Sequence, residues 1–230
     1  MKHYFLTGGA GLLILVLFVG VPVNATAMPV EPTFDRFGEL EDATFGGEGI
    51  PNGNVAITEQ FGVTLGLTAH RRFSGNPGVK NDGAGTFTAP KGSNTPPTDP
   101  KGLEGARWNF AFFAEAPGST FGTDESELGI LDIGKAVDGE GLSKVEGSQN
   151  LLFGFLNDDS LDFVTSPSKS SFDPNAPGEF SFVLRATEGT AEFARTAINV
   201  NVEAVPTPTT LVLLGMGLVG LGAISRHRPR

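Results

Sequence analysis

The chain has 230 residues, 32 of them Gly and 16 Pro, with no Cys; 39% are hydrophobic and only 18% charged. Without cysteine there is no disulfide framework, thiolate zinc site, iron–sulfur cluster or cysteine nucleophile, and 26 acidic against 16 basic residues supply no positive field for nucleic acid. Glycine and proline stay below the level of low-complexity disorder and show no collagen period, so a folded body with one sizeable core is expected.

Residues 1–27 open with Lys2 and His3, run through an apolar stretch from Ala10 to Val21 that contains LLILVLFVG, and end on Ala25-Thr26-Ala27. The apolar stretch is short for a membrane span of about 20 residues, and small residues stand where a cleavage pocket needs them. This is the pattern of a secretory signal peptide. Its apolar segment is expected to be helical, and signal peptidase would cut after Ala27, with Ala25 and Ala27 in its pocket. The mature chain would then begin near Met28; an uncut segment would instead be an anchor, and either reading exports the chain. Residues 28–204 form the expected exported domain. They keep all 26 acids but 12 of the 16 bases, about −14 in formal charge, and their only histidine is His70. A site built from several histidines of one chain is excluded.

Within this body the hydrophobic pattern has period two. Val55–Thr58 is a short strand candidate. Phe61–Ala69 sets Val63, Leu65 and Leu67 on one face and Thr64, Gly66 and Thr68 on the other, a half-buried strand. His70-Arg71-Arg72 follows as the one local basic cluster. It is a candidate contact for anionic polysaccharide, or else a set of charges that pair with nearby acids or blunt an exposed edge. Residues 75–105 hold seven Gly and five Pro. They read as a long flexible loop in which only Gly85–Ala89 has the apolar content of a buried strand.

Ala106–Ala114 aligns Trp108, Phe110 and Phe112 on one face. Because the body has a single Trp and no Tyr, this face is expected in the core and not on a sugar-stacking surface. Further strand candidates are Gly129–Ile133, Leu151–Leu156 and Leu161–Thr165. Asp158, Asp159 and Asp162, with the Asn157 carbonyl, gather hard oxygen atoms after the run LLFGFLN and are candidate calcium ligands; Asp124, Glu125 and Glu127 form a second acidic group. Neither has the spacing of an EF-hand loop, and solvated turn acids are the simpler reading of both.

Glu179–Ala186 aligns Phe180, Phe182 and Leu184, and Thr196–Glu203 turns Ile198, Val200 and Val202 inward and Asn199, Asn201 and Glu203 outward. No window of the body keeps apolar residues at i, i+3, i+4 and i+7 over three turns. The expected class is therefore all-β, an antiparallel β-sandwich. The segment GEFSFVLRATEGTAEFARTAINVNV, Gly178 to Val202, resembles the closing hairpin of bacterial immunoglobulin-like and related surface sandwiches, with Glu188-Gly189 as its turn. The resemblance implies an immunoglobulin-like or jelly-roll-like topology and no particular activity.

The C-terminus carries three signals in order: Val205-Pro206-Thr207-Pro208, an uncharged run from Thr209 to Ser225, and Arg226-His227-Arg228-Pro229-Arg230. The prolines end the preceding strand for want of an amide donor, and 17 residues of helix would span about 26 Å, just short of a hydrocarbon core of about 30 Å. Arg226, Arg228 and Arg230 would remain on the cytoplasmic side, leaving the acidic body outside. Gly215-Met216-Gly217-Leu218-Val219-Gly220 spells GxGxxG, yet ten residues remain after it, too few for a dinucleotide-binding βαβ unit. This end, residues 205–230 with its transmembrane segment 209–225, resembles the PEP-CTERM sorting signal of Gram-negative bacteria, with Thr207 where the family has glutamate. The resemblance implies transient anchoring in the inner membrane, processing by an exosortase-like membrane enzyme, release to the cell surface or the extracellular matrix, and an association with exopolysaccharide.

No GxSxG elbow accompanies His70, and 26 carboxylates neither select nor exclude a glycosidase pair. The expectation is a non-enzymatic cell-surface or extracellular-matrix protein of structural or adhesive type, without cofactor unless calcium binds. A calcium-dependent carbohydrate-binding module and a secreted polysaccharide hydrolase stand as alternatives.

Overall fold

The structure, a computed structural model, describes residues 11–21, 30–73, 78–96, 102–118, 121–122, 142–153, 172–188 and 191–203. Among the described residues every regular element is a strand: β1 (Gly11–Val21), β2 (Arg36–Gly38), β3 (Val55–Gln60), β4 (Val63–Arg71), β5 (Lys80–Asn81), β6 (Thr86–Pro90), β7 (Ser93–Asn94), β8 (Gly105–Ala106), β9 (Trp108–Glu115), β10 (Phe121–Gly122), β11 (Lys144–Gln149), β12 (Gly178–Glu188) and β13 (Ala191–Glu203). One sheet runs β10-β1-β12-β13-β6-β5, the other β11-β9-β4-β3-β2, and β7-β8 is a separate ribbon. The pairings are antiparallel except β1 with β10 and β13 with β6. The described part of the fold is all-β, as the period-two pattern requires.

The inward residues read from the sequence meet between the two sheets. Leu65 and Leu67 of β4, Phe110 and Phe112 of β9, Phe182 and Leu184 of β12, and Ile198 and Val200 of β13 are all fully buried in one cluster. Phe110 and Phe182 meet across the sheets with ring centroids 4.7 Å apart. Trp108 packs against Phe180 and Phe182 at 5.8 and 6.0 Å, so its indole belongs to the core.

The outer face of the β4/β9 sheet is covered too. Leu40, Ala43 and Phe45 lie with Ile57, Ala111 and Phe113 in a second apolar cluster, with Ile50 against it. Gly66 makes room for this cover, because a Cβ there would sit 2.7 Å from Leu40 Cδ2. The strand expected to be half-buried is thus buried on both faces, and Thr68 satisfies its hydroxyl by donating to the Asn54 carbonyl at 2.7 Å. The β3–β4 hairpin closes on Phe61-Gly62, with φ of +52° and +81° and Gln60 paired with Val63. Two positive φ values in a two-residue loop are the twist that suits a hairpin. Phe61 is therefore in the turn, and β4 begins at Val63.

Residues 11–21 form β1, antiparallel to β12 from Leu12↔Thr187 to Val21↔Glu179, and three expectations change elsewhere. An apolar run and an open sheet edge satisfy each other's backbone groups this way. The stretch 75–105 is not a single loop: it contains β5, β6 and β7, and β6 buries Phe87 and Ala89 beside β13. The alternation of TFTAP suffices once a neighbouring strand supplies the hydrogen bonds. Leu151–Leu156 begins as a turn, while the strand is β11 just before it. In β11 small Gly147 and polar Gln149 share the inward face with Val145, so composition hid the pattern. Finally, Glu188 pairs with Ala191, so it belongs to β12 and not to the turn. Gly129–Ile133, Leu161–Thr165 and the C-terminal segment 205–230 lie outside the described residues.

Candidate functional site

The densest polar cluster sits where β4, β9 and β11 end side by side, on the outer face of their sheet. β4 contributes His70, β9 Asn109, β11 Ser148, and Asn150 follows β11. His70 Nδ1 lies 2.8 Å from the Arg71 carbonyl, which only accepts, so Nδ1 carries the proton and Nε2 is the acceptor. Ser148 Oγ then donates to Nε2 at 2.9 Å and accepts from Asn109 Nδ2 at 2.9 Å. Asn150 is wholly buried. Its Nδ2 donates to Asn109 Oδ1 at 2.6 Å and to the Trp108 carbonyl at 2.8 Å, and its Oδ1 accepts from Ala106 N at 2.8 Å. Burial lowers the pKa of His70, outweighing the Arg71 carbonyl that raises it, so the imidazole is neutral at neutral pH.

A hydroxyl donating to a neutral, oriented imidazole is half of a nucleophilic device. The other half is a set of donors aimed at a developing oxyanion. Here the amide that reaches Ser148 is bonded to Oγ itself, and the remaining contacts run into strand carbonyls. The chain of bonds fastens β11 to β9 and β4. Sequence reading missed Ser148 because it looked for a glycine elbow; the pairing comes from register, which brings residues 78 positions apart together.

The basic cluster His70-Arg71-Arg72 does not form a surface patch. His70 and Arg72 are buried and only Arg71 is exposed. Arg72 donates to the Leu103 carbonyl at 2.8 Å and lies over the rings of Phe73 and Phe153 at 4.7 and 5.5 Å. Burial lowers its pKa. Aromatic faces and a carbonyl hold this cation inside, where no polysaccharide meets it.

On the same sheet a cavity of about 300 Å³ is lined by Glu39, Glu41, Asp42, Glu59 and Glu115 with Arg36 among them. Arg36 pairs with Glu59 at 2.7 Å and donates to the Glu39 carbonyl at 2.9 Å. Among the described residues no three His, Asp or Glu side chains are placed to hold a metal ion. Beside the cavity, Glu146 of β11 accepts from the amides of Thr44 and Phe45, both at 2.7 Å, and from Thr44 Oγ1 at 2.9 Å. Burial raises its pKa, but these bonds and Lys144 at 3.5 Å outweigh it and the net shift is downward. That carboxylate ties the covering segment to the sheet.

On the other sheet Arg185 of β12 stands directly opposite Arg195 of β13. Glu192 bridges them, 2.8 Å from Arg195 and 3.6 Å from Arg185. The Arg195 hydrogen bond first, and the charge of both arginines, lower its pKa against the effect of burial. The candidate calcium ligands Asp158, Asp159 and Asp162, the second acidic group at Asp124, Glu125 and Glu127, the cleavage residues Ala25 and Ala27, and the sorting residues Val205, Pro206, Thr207, Pro208, Arg226, Arg228 and Arg230 all lie outside the described residues. In comparisons with protein-family models, curated proteins and solved structures, nothing matches this chain.

Proposed function

We propose that the chain is an exported surface or matrix protein with a structural or adhesive role, its body an immunoglobulin-like or jelly-roll-like sandwich. Signal peptidase releases the N-terminus, and a PEP-CTERM-like tail delivers the body by way of an exosortase-like enzyme in the inner membrane. The observation that carries this reading is the order of segments in the sequence: an apolar leader ending in Ala25-Thr26-Ala27, an acidic cysteine-free body, then VPTP, an uncharged run and an arginine-rich end. A compact all-β body suits the outside of a cell, where it must keep its shape without disulfides.

The disposition of charged groups supports a scaffolding role. Glu146 fastens a covering segment, Glu192 separates two arginines, and His70 and Ser148 lock a sheet corner. The excess acid keeps such a body soluble and lets it share a polyanionic matrix through counterions without condensing on it. The test is the intact mass of the native protein, taken separately from membranes and from the extracellular fraction. The expected result is a membrane form that retains residues 209–230 and an external form that lacks them. A full tail in every fraction, confined to membranes, would remove the matrix role.

A further inference from the structure

β12 has two neighbours in its sheet, β13 on one side and β1 on the other. The β1 side is made by residues that the proposed export step removes, and the inference below rests on that reading. Cleavage after Ala27 uncovers β12 from Glu179 to Thr187, and β10, which joins this sheet through β1 alone, loses its place as well. Among the described residues, what remains is a row of unpaired backbone donors and acceptors beside the buried side chains of Phe180, Phe182 and Leu184. Such an edge is a template for another strand. We propose that in the mature protein this edge pairs with the same edge of a second copy, β12 against β12, antiparallel about a two-fold axis at Phe182.

The sequence of the strand selects this occupant. Centring the pairing on Phe182 sets Glu179 opposite Arg185 of the second copy, Phe180 opposite Leu184, and Ser181 opposite Val183. Residues 179, 181, 183 and 185 share the outer face, because they alternate with the core residues 180, 182 and 184. The two-fold therefore closes an ion pair at each end of the ladder while core faces core. A slip of one residue would set Phe180 against Arg185 and turn one strand's apolar set outward. Arg185 stands directly opposite Arg195 in the sheet, and Glu179 of the second copy brings a carboxylate to this pair of cations. A self-complementary patch of this kind is what an isologous dimer requires.

Native mass spectrometry of protein secreted by its own cells reads the N-terminus and the oligomeric state from one sample. The expected species begins near Met28 and has twice the protomer mass, whereas protein that keeps residues 1–27 runs as a single protomer. Glu179→Arg and Arg185→Glu should each lower the dimer association constant about tenfold or more, and the double exchange should restore it. Because Arg185→Glu also disturbs Glu192, a second variant tests register without touching charge. Ser181→Cys with Val183→Cys, in a chain that has no other cysteine, should cross-link into dimers on oxidation. A cleaved protein that stays monomeric and forms no cross-link overturns the pairing and leaves the export reading standing. A cleaved dimer indifferent to both charge reversals and free of cross-links overturns the proposed edge. Residues 1–27 retained in the secreted protein overturn the signal-peptidase step and, with it, the pairing.

Discussion

At His70 and Glu146 the acid sensitivity of the fold is already written. Burial holds the His70 pKa below its ordinary 6.5, so the unfolded chain takes up the proton first. The stability it contributes is whole above that value and is lost as pH falls through the folded one, with a slope of at most about 1.4 kcal/mol per pH unit. Glu146 acts in the same direction lower down: its folded pKa lies below the ordinary 4.5, so its contribution is complete above 4.5 and fades as pH drops further. Urea midpoints measured from pH 7 to pH 3 should therefore fall in two limbs, and His70→Gln should flatten the upper one. Glu146→Gln should lower stability at pH 7 by about 1–3 kcal/mol, since it turns charged hydrogen bonds to two amides into neutral ones. The histidine was visible in the sequence as the body's only one. Its partner Ser148 was not, since no local pattern links residues 78 positions apart.

Among the elements, the β3–β4 turn is the clearest case of a sequence that fits its fold imperfectly. Phe61 is 79% exposed and adopts φ +52°, a conformation that costs a residue with a bulky side chain about 1–2 kcal/mol. Its ring meets Phe193 edge-on at 6.4 Å, which offsets part of that cost. Phe61→Asn installs the preferred Asn-Gly pair and should raise stability by about 0.5–1 kcal/mol, read as a higher melting temperature; a lower one would mean that the aromatic contact outweighs the turn. At the opposite extreme, Gly105 of β8 has no room for any side chain, because a Cβ there would overlap Arg72. Gly105→Ala should destabilise by about 1–3 kcal/mol or more. The period-two runs of β4, β9, β12 and β13 were legible because large apolar residues alternate in them. β11 escaped because its inward residues include Gly147 and Gln149, whereas β6 overlaps Gly85–Ala89, the one stretch of 75–105 that carried enough apolar content for a buried strand.

Over the whole molecule, stability concentrates in the aromatic contact between the sheets. Phe182 touches Phe110 and Trp108 and is fully buried. Phe182→Ala should therefore cost about 3–5 kcal/mol, a large part of the roughly 5–15 kcal/mol available to a domain, and equilibrium unfolding in urea measures it. No disulfide supports the fold, so reducing agents should leave its midpoint unchanged. The same sheet carries the edge that export would uncover, which joins the delivery of the chain to its assembly.

The sequence by itself determined the all-β class, the inward faces of the four principal strands and the burial of Trp108, because side-chain alternation follows from the pleat and needs no partner to be read. It also carried the leader and tail patterns on which the proposed destination rests. The tertiary structure alone decided which strands are neighbours, that β4 is covered on both faces, that Arg72 is interior, and that Ser148 meets His70. Each of these depends on register between distant strands, where the free energy lies in pairings across the sheet and not in any one segment.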